Sequence, residues 1–312
     1  MKLATFVRRD GTPTVGIVDT DRGQILDLAL AARQAGMPEG HFSSMLALID
    51  AGSDGLAEAH RLAKLWPAAY VPLKGTKLLA PLPEPRQMRD SMVFEEHLAN
   101  AYKRAAERTG RPLQPIPQVW YDQPIYYKAN RFAVCGPETD VVWPAYSQVM
   151  DFELEMACII GKRGKDIQPD HAHEHIFGFT IFNDLSARDA QMKEMAAMLG
   201  PAKGKDFDNA NVLGPWIVTP DEIGDPHALK MEARVNGERW GGGTSASMHH
   251  RWPAILAHVS MGETLYAGEV IGSGTVGTGC GLEIGRQLQH GDVVELEIEK
   301  IGTLRTRVLR QS

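Results

Sequence analysis

A chain of 312 residues with 43% hydrophobic and 23% charged side chains is long enough for one large or two modest domains with an ample core. Its formal net charge of −6 argues against a duplex nucleic-acid binder, which carries a basic patch. No apolar run approaches the ~20 residues of a membrane span. The three cysteines, Cys135, Cys158 and Cys280, are far apart and lack zinc or redox spacing, so they read as reduced thiols. With Met1-Lys2-Leu3-Ala4-Thr5 opening as a strand and not as a leader, the expectation is a cytoplasmic protein.

Residues 1–80 read as a small α/β unit. Residues 3–7 and 14–18 are strand-like around Asp10-Gly11, a strong hairpin dipeptide, and residues 24–28 follow as a third strand. Residues 29–35, 43–51 and 55–65 read as helices. His41 and His60 are isolated, and nothing in this unit looks chemical. Pro81-Leu82-Pro83-Glu84-Pro85 is a stiff connector, which sets a boundary between residues 1–80 and residues 81–312. The stretch through Asp90 and His97 to Arg108 becomes helix-friendly, and by pattern alone it is an amphipathic surface helix carrying a solvated histidine.

The stretch Asp151-Phe152-Glu153-Leu154-Glu155-Met156-Ala157-Cys158-Ile159-Ile160 organises the rest. Alternation on a strand puts Glu153 and Glu155 on one face, where two buried carboxylates repel each other. A hard divalent cation with a preference for oxygen ligands removes the conflict; the alternative is a solvent-exposed face with two ordinary glutamates. The β-prone run from His175 ends in Asn183-Asp184, placing a further acid at a strand end. Residues 192–200 read as a methionine-rich helix of the core type. Lys203-Gly204-Lys205 is not a phosphate loop, since the preceding glycine and following hydroxyl residue are missing. Asn236-Gly237 marks a hairpin within residues 229–240, and His249 and His250 read as structural. The glycines of residues 272–281 allow backbone amides to approach a ligand, and strands close the chain. Many strands, few long helices and no βαβ rhythm give a mainly β (α+β) architecture.

Three motifs in order carry a resemblance: Glu153-x-Glu155, then His173-Glu174-His175-Ile176-Phe177-Gly178-Phe179, then Asn183-Asp184-x-Ser186-Ala187-Arg188-Asp189-x-Gln191. From about Leu79 onward the chain resembles the fumarylacetoacetate hydrolase superfamily, nearest its C–C hydrolases. The resemblance implies a mixed β-sandwich roll for the catalytic domain and a homodimer. It implies that Asp90, Glu153, Glu155 and Asp184 hold one divalent cation, Mg²⁺ or Mn²⁺, or Ca²⁺. His97, seven positions after Asp90, would be the general base, held by Glu283, while Arg188, Gln191 and Lys205 would stabilise an oxyanion, with Lys203 as a decoy beside Lys205. Tyr127, Lys128 and Thr275 would touch substrate. The implied reaction is hydrolysis of a carbon–carbon bond in an acylpyruvate or other 2,4-dioxo acid, in aromatic or sugar-acid catabolism. Met92 and Met195 depart from the hydrolase pattern, standing where tyrosines would hold a polar substrate tail. Asn100 follows His97 as in those hydrolases and departs from the His-x-x-Glu pair of decarboxylase and tautomerase relatives, and Val276 and Gly279-Cys280-Gly281 depart from the glycine loop of the common relatives. Rival readings are decarboxylation, tautomerisation or dehydration of a 2-oxo acid on the same scaffold, or a non-catalytic divalent-binding module. A two-metal phosphohydrolase lacks the further ligands it would need.

Overall fold

The computed structural model describes residues 1–65, 69–110 and 112–311. Among these, eleven strands form one long sheet and five form a second. The second sheet is one-sided: Lys230–Val235 buries Met231, Ala233 and Val235, and Val293–Ile298 buries Val294, Leu296 and Ile298. Such period-two burial is what a sheet with one face on the core requires. These side chains meet Met156, Cys158, Phe179, Ile181 and Val212 of the long sheet in a single apolar cluster. The fold is therefore a mixed α+β sandwich: the strand-rich α+β class follows from the alternation and turn signals, and the sandwich is what the resemblance implies.

The central strands Leu154–Ile160, Ile176–Asp184 and Asn211–Val218 are buried on both faces along nearly their whole length. Their second face carries Ala157, Ile159, Phe177, Phe182, Leu213 and Ile217 into another core, shared with the N-terminal helices. Parity along a strand then places the acids. Glu155 shares a face with Ala157 and Ile159, and Asp184 shares one with Phe182, so both carboxylates lie where the helix-covered face runs out.

The N-terminal strands extend this same sheet. Lys2–Val7 pairs antiparallel with Asn211–Val218, with Leu3 opposite Ile217. The expected hairpin joins Lys2–Val7 to Pro13–Asp19, with Gly11 at φ 87° in its turn. Asp27 caps the helix Leu28–Gln34, accepting a bond from the Leu30 amide at 3.0 Å. The two helices expected over 43–51 and 55–65 are present within Met45–Leu65, separated by a kink where Gly52 leaves the helical region at φ 56°.

Two readings made from pattern alone are corrected. The surface helix with a solvated histidine is Glu95–Thr109, which buries His97 and ends on left-handed Gly110. The methionine-rich stretch is not core: its helix stops at Met195, and Met192, Met195, Met198 and Leu199 are 42%, 51%, 92% and 95% exposed. The Asn236-Gly237 hairpin forms as expected between Lys230–Val235 and Glu238–Thr244, with both turn residues at positive φ.

Candidate active site

Sheet pairing builds the carboxylate cluster. Strand Met88–Ser91 lies parallel to Val270–Gly272, with Asp90 beside Gly272, and antiparallel to Tyr126–Lys128, with Asp90 opposite Tyr127. Leu154–Ile160 joins Val270–Gly272 to Ile176–Asp184. Asp90, Glu155 and Asp184 thereby bring carboxylate oxygens within 4.8 Å of one another, all three buried. A Cβ at Gly272 would stand 2.4 Å from Asp90 Oδ1 and 2.9 Å from Glu155 Oε2, so only glycine leaves room for both acids. The Gly274 amide donates to Asp90 Oδ1 at 3.2 Å and to Glu155 Oε2 at 2.9 Å. Thr275 Oγ1 donates to Glu155 Oε1 at 3.4 Å, and the Tyr127 hydroxyl to Asp184 Oδ2 at 2.7 Å.

The electrostatics of this cluster call for a cation. Burial, reinforced by Asp184, pushes the Asp90 carboxyl up to about 8. Burial and Asp90 drive Glu155 well above the usual carboxylate range. Burial pushes Asp184 up to about 6, although Lys205 pulls the other way. Asp184 Oδ1 is buried with no hydrogen-bond partner, an expensive state for a carboxylate oxygen. Oxygen donors in excess of positive charge, with one oxygen orphaned, fit a hard divalent ion such as Mg²⁺, Mn²⁺ or Ca²⁺.

Glu153 stands apart from these three. Lys205 Nζ bonds both Glu153 Oε2 and, at 2.5 Å, Asp184 Oδ2, while Arg188 Nη1 lies 2.8 Å from Glu153 Oε1. Burial alone would raise Glu153, but the charges of Arg188, Lys205 and His97 hold it well below its ordinary value. It reaches the cluster through Lys205, and its own partners are the two cations. Lys203 is exposed while Lys205 is buried, which separates the decoy from the clustered lysine.

Beside the cluster, His97 Nδ1 lies 2.7 Å from Glu283 Oε1. Glu283 Oε2 accepts from Asn100 Nδ2 at 3.0 Å, one helical turn beyond His97, and from the Thr278 amide at 2.8 Å. Burial would raise the Glu283 carboxyl, but the bond from His97 and these further donors outweigh it, so Glu283 stays charged. A carboxylate on Nδ1 fixes the tautomer and leaves Nε2 for proton transfer. Arg188 Nε donates to Asp151 Oδ2 at 2.9 Å, and Gln191 Oε1 accepts from Arg188 Nη1 at 3.1 Å.

Lys128 is not brought to the site. It sits opposite Arg89 in the ladder, on the other face from Tyr127 and Asp90, with Nζ 3.6 Å from Glu263. Sequence reading assigned no role to Asp151, which also accepts from the Gly281 and Leu282 amides at 2.8 and 3.0 Å and so anchors the turn bearing Glu283. Its signal was present, since Asp151, Glu153 and Glu155 alternate. The glycine-rich backbone was anticipated, but the thiol of Cys280, 3.4 Å from Glu283 Oε1, was also missed. A cleft of about 900 Å³ lined by Arg8, Arg33 and Lys77 lies in the N-terminal unit, away from this chemistry.

The model of the fumarylacetoacetate (FAA) hydrolase C-terminal domain matches residues 92–309, which span the His97–Glu283 pair, both glutamates and Asp184. The chain belongs to this family. It is similar along nearly its whole length to two proteins named as oxaloacetate tautomerases. The mitochondrial protein fahd2 of Xenopus laevis is 31% identical over 99% of this chain and 90% of its own, and YisK of Bacillus subtilis is 30% identical over 94% and 95%. The human mitochondrial oxaloacetate tautomerase FAHD2A is 39% identical, but the match spans only 62% of this chain and 60% of that protein. Among solved structures, a fumarylacetoacetate hydrolase from Exiguobacterium antarcticum superposes with a TM-score of 0.77 at 29% identity over the full length of both chains. A maleylpyruvate hydrolase from Sphingobium sp. SYK-6, solved with manganese(II) and pyruvate, shares the fold at a TM-score of 0.75 and 23% identity. Among the described residues no helix is long and apolar enough to cross a membrane.

Proposed function

We propose that this chain is a divalent-metal-dependent enzyme that interconverts the keto and enol forms of a small 2-oxo acid of the oxaloacetate kind. The observation that carries the reading is the buried Asp90, Glu155 and Asp184 trio beside the His97–Glu283 pair. Full-length similarity to two oxaloacetate tautomerases supports it over the hydrolytic reading. Asp90, Glu155 and Asp184 would hold the cation, Mg²⁺ or Mn²⁺ or Ca²⁺, with Glu153 as a fourth ligand if Lys205 yields. When bound, the ion supplies Lewis-acid polarisation of the 2-oxo group.

The remaining work falls to the chain's own side chains. His97 Nε2 takes a proton from the carbon beside the oxo group, and Glu283 stabilises the imidazolium that results. Lys205 and Arg188 offset the charge that develops on the enolate oxygen, and Gln191 steadies the Arg188 guanidinium from one side. Return of the proton to that oxygen completes the exchange. One proton leaves carbon and one arrives on oxygen, so neither an attacking water nor a cleaved bond is needed. Tyr127 orients Asp184, and Thr275 orients Glu155, at the floor of the site.

Hydrolysis of an acylpyruvate is the second reading, and one observation favours it: a histidine held by a carboxylate can equally activate water. Against a polar, long-tailed substrate stand the half-buried Met92 and the exposed Met195, neither of which can bind a carboxylate. The test is one panel with Mg²⁺ or Mn²⁺: ketonisation of enol-oxaloacetate, CO₂ release from oxaloacetate, and acid release from acylpyruvates in ¹⁸O water. Accelerated ketonisation supports the proposal. Labelled acid without ketonisation selects the hydrolase, CO₂ alone selects a decarboxylase, and no turnover selects a non-catalytic module. We propose in the same sense that residues 81–312 form the catalytic domain, that residues 1–80 act as a lateral extension of its sheet, and that the protein is a cytoplasmic homodimer.

A further inference from the structure

The Glu283 carboxylate has a neighbour that the proposed reaction does not use. His97, Cys280 and Glu283 place a nitrogen, a sulfur and an oxygen within 4.8 Å of one another. Both other donors meet the same oxygen: His97 Nδ1 is 2.7 Å and Cys280 Sγ 3.4 Å from Glu283 Oε1. The three are buried, at 7%, 0% and 6% exposure, so no water shell competes for them. Their backbone is fixed, since Cys280 bridges to Glu153 and the Gly279 carbonyl accepts from the Leu154 amide at 3.0 Å. The surrounding field is negative. Burial, then Asp151, Glu283 and Glu153, pushes the Cys280 thiol well above its ordinary value, with Arg188 working against them. That field opposes a bare thiolate and attracts a cation.

We propose that His97, Cys280 and Glu283 form a second metal site, selective for Zn²⁺ or Cd²⁺, whose occupation switches the enzyme off. Ligand chemistry separates it from the trio of carboxylates. Oxygen donors alone suit Mg²⁺, Mn²⁺ and Ca²⁺, whereas imidazole and thiolate select zinc-like ions. Three protein ligands with a fourth position open is a common zinc arrangement. Binding releases the Cys280 thiol proton to solvent, shifts the ring proton of neutral His97 from Nδ1 to Nε2, and replaces the His97 Nδ1 to Glu283 hydrogen bond by two metal bonds. Loss of activity rests on the proposed role of His97; binding does not, so the two are separable.

The full-length protein, held in excess Mg²⁺ to keep the oxygen site filled, is titrated with Cd²⁺ while its ultraviolet thiolate charge-transfer band is recorded. The band should saturate at one equivalent in the wild type and in Cys135→Ser, and vanish in Cys280→Ser. His97→Asn should weaken binding by more than the ~10-fold that loss of an outer-shell partner costs. No band in the wild type, or a persistent band in Cys280→Ser, overturns the proposal. Zinc-edge anomalous diffraction from wild-type crystals needs no variant. A peak between the three side chains supports the site, and a peak only at Asp90, Glu155 and Asp184 refutes it. Should the cadmium band appear in a protein that turns over no 2-oxo acid, the metal site stands and the functional proposal fails.

Discussion

The two halves of the site are built differently. Asp90, Glu155 and Asp184 stand on three strands of one sheet, with the Gly272 strand between those of Asp90 and Glu155, and ladder register decides that they converge. His97 and Glu283 come from a helix and a glycine-rich turn far apart in sequence, joined by hydrogen bonds and by Asp151 beneath the turn. The first half is rigid and over-charged, so its need is a counter-ion. The second half is a hydrogen-bonded pair, and under the proposed function its part is to move a proton. A buried cluster with an orphaned oxygen marks where something binds, and a satisfied pair marks where chemistry is poised.

The comparison can be broken most forcefully at Glu155. Glu155→Ala should abolish divalent binding by calorimetry and turnover together, and a chelator should do the same to the wild type. Full activity of that variant in chelator would remove the metal from the account. His97→Asn should lower turnover by ~10²–10⁴-fold, the usual contribution of a positioned base, with Mg²⁺ affinity at the carboxylate trio unchanged. If affinity falls as well, the two halves are not independent.

Lys205 ties Glu153 to Asp184 of the carboxylate trio, bonding both. Lys205→Met should reduce kcat by ~10²-fold or more, the scale for losing one oxyanion donor, and Lys203→Met should be nearly silent. Equal losses would show that the exposed lysine reaches the substrate. The smallest effect concerns stability. Asp90 is pushed from 3.8 up to about 8 by burial, so the metal-free fold binds a proton that the unfolded chain gives up near 4. Metal-free stability therefore falls as pH rises across that window, while a bound cation removes the cause. The gap in Tm between Mn²⁺-loaded and chelator-treated protein should widen from pH 6 to pH 8. A constant gap would contradict the burial argument.

Much of this was legible in the sequence where local pattern decides. The apolar run before Asp184 predicted its strand, whereas the split of Glu153 from Glu155, the first paired with Arg188 and Lys205, was not in the alternation. The Asn236-Gly237 turn was readable because few residues tolerate positive φ there. Long-range pairing was not readable. Nothing local says that Lys2–Val7 docks on Asn211–Val218, or that Tyr127 and not Lys128 faces Asp90. Composition misled at Met192, Met195 and Met198, where apolar side chains lie at the surface on, and just after, the helix that carries Arg188. The environment of Cys280 depended on a turn whose placement is set by Asp151 from another strand.

The central claim is that a metal-loaded carboxylate cluster and a separate histidine pair together move a proton on a 2-oxo acid. The most direct measurement is the initial rate of ketonisation of enol-oxaloacetate by Mg²⁺-saturated wild type and His97→Asn, with Mg²⁺ binding confirmed in both. The account predicts acceleration over buffer in the wild type and its loss in the variant. Equal acceleration by both proteins, or none by the wild type, would contradict it.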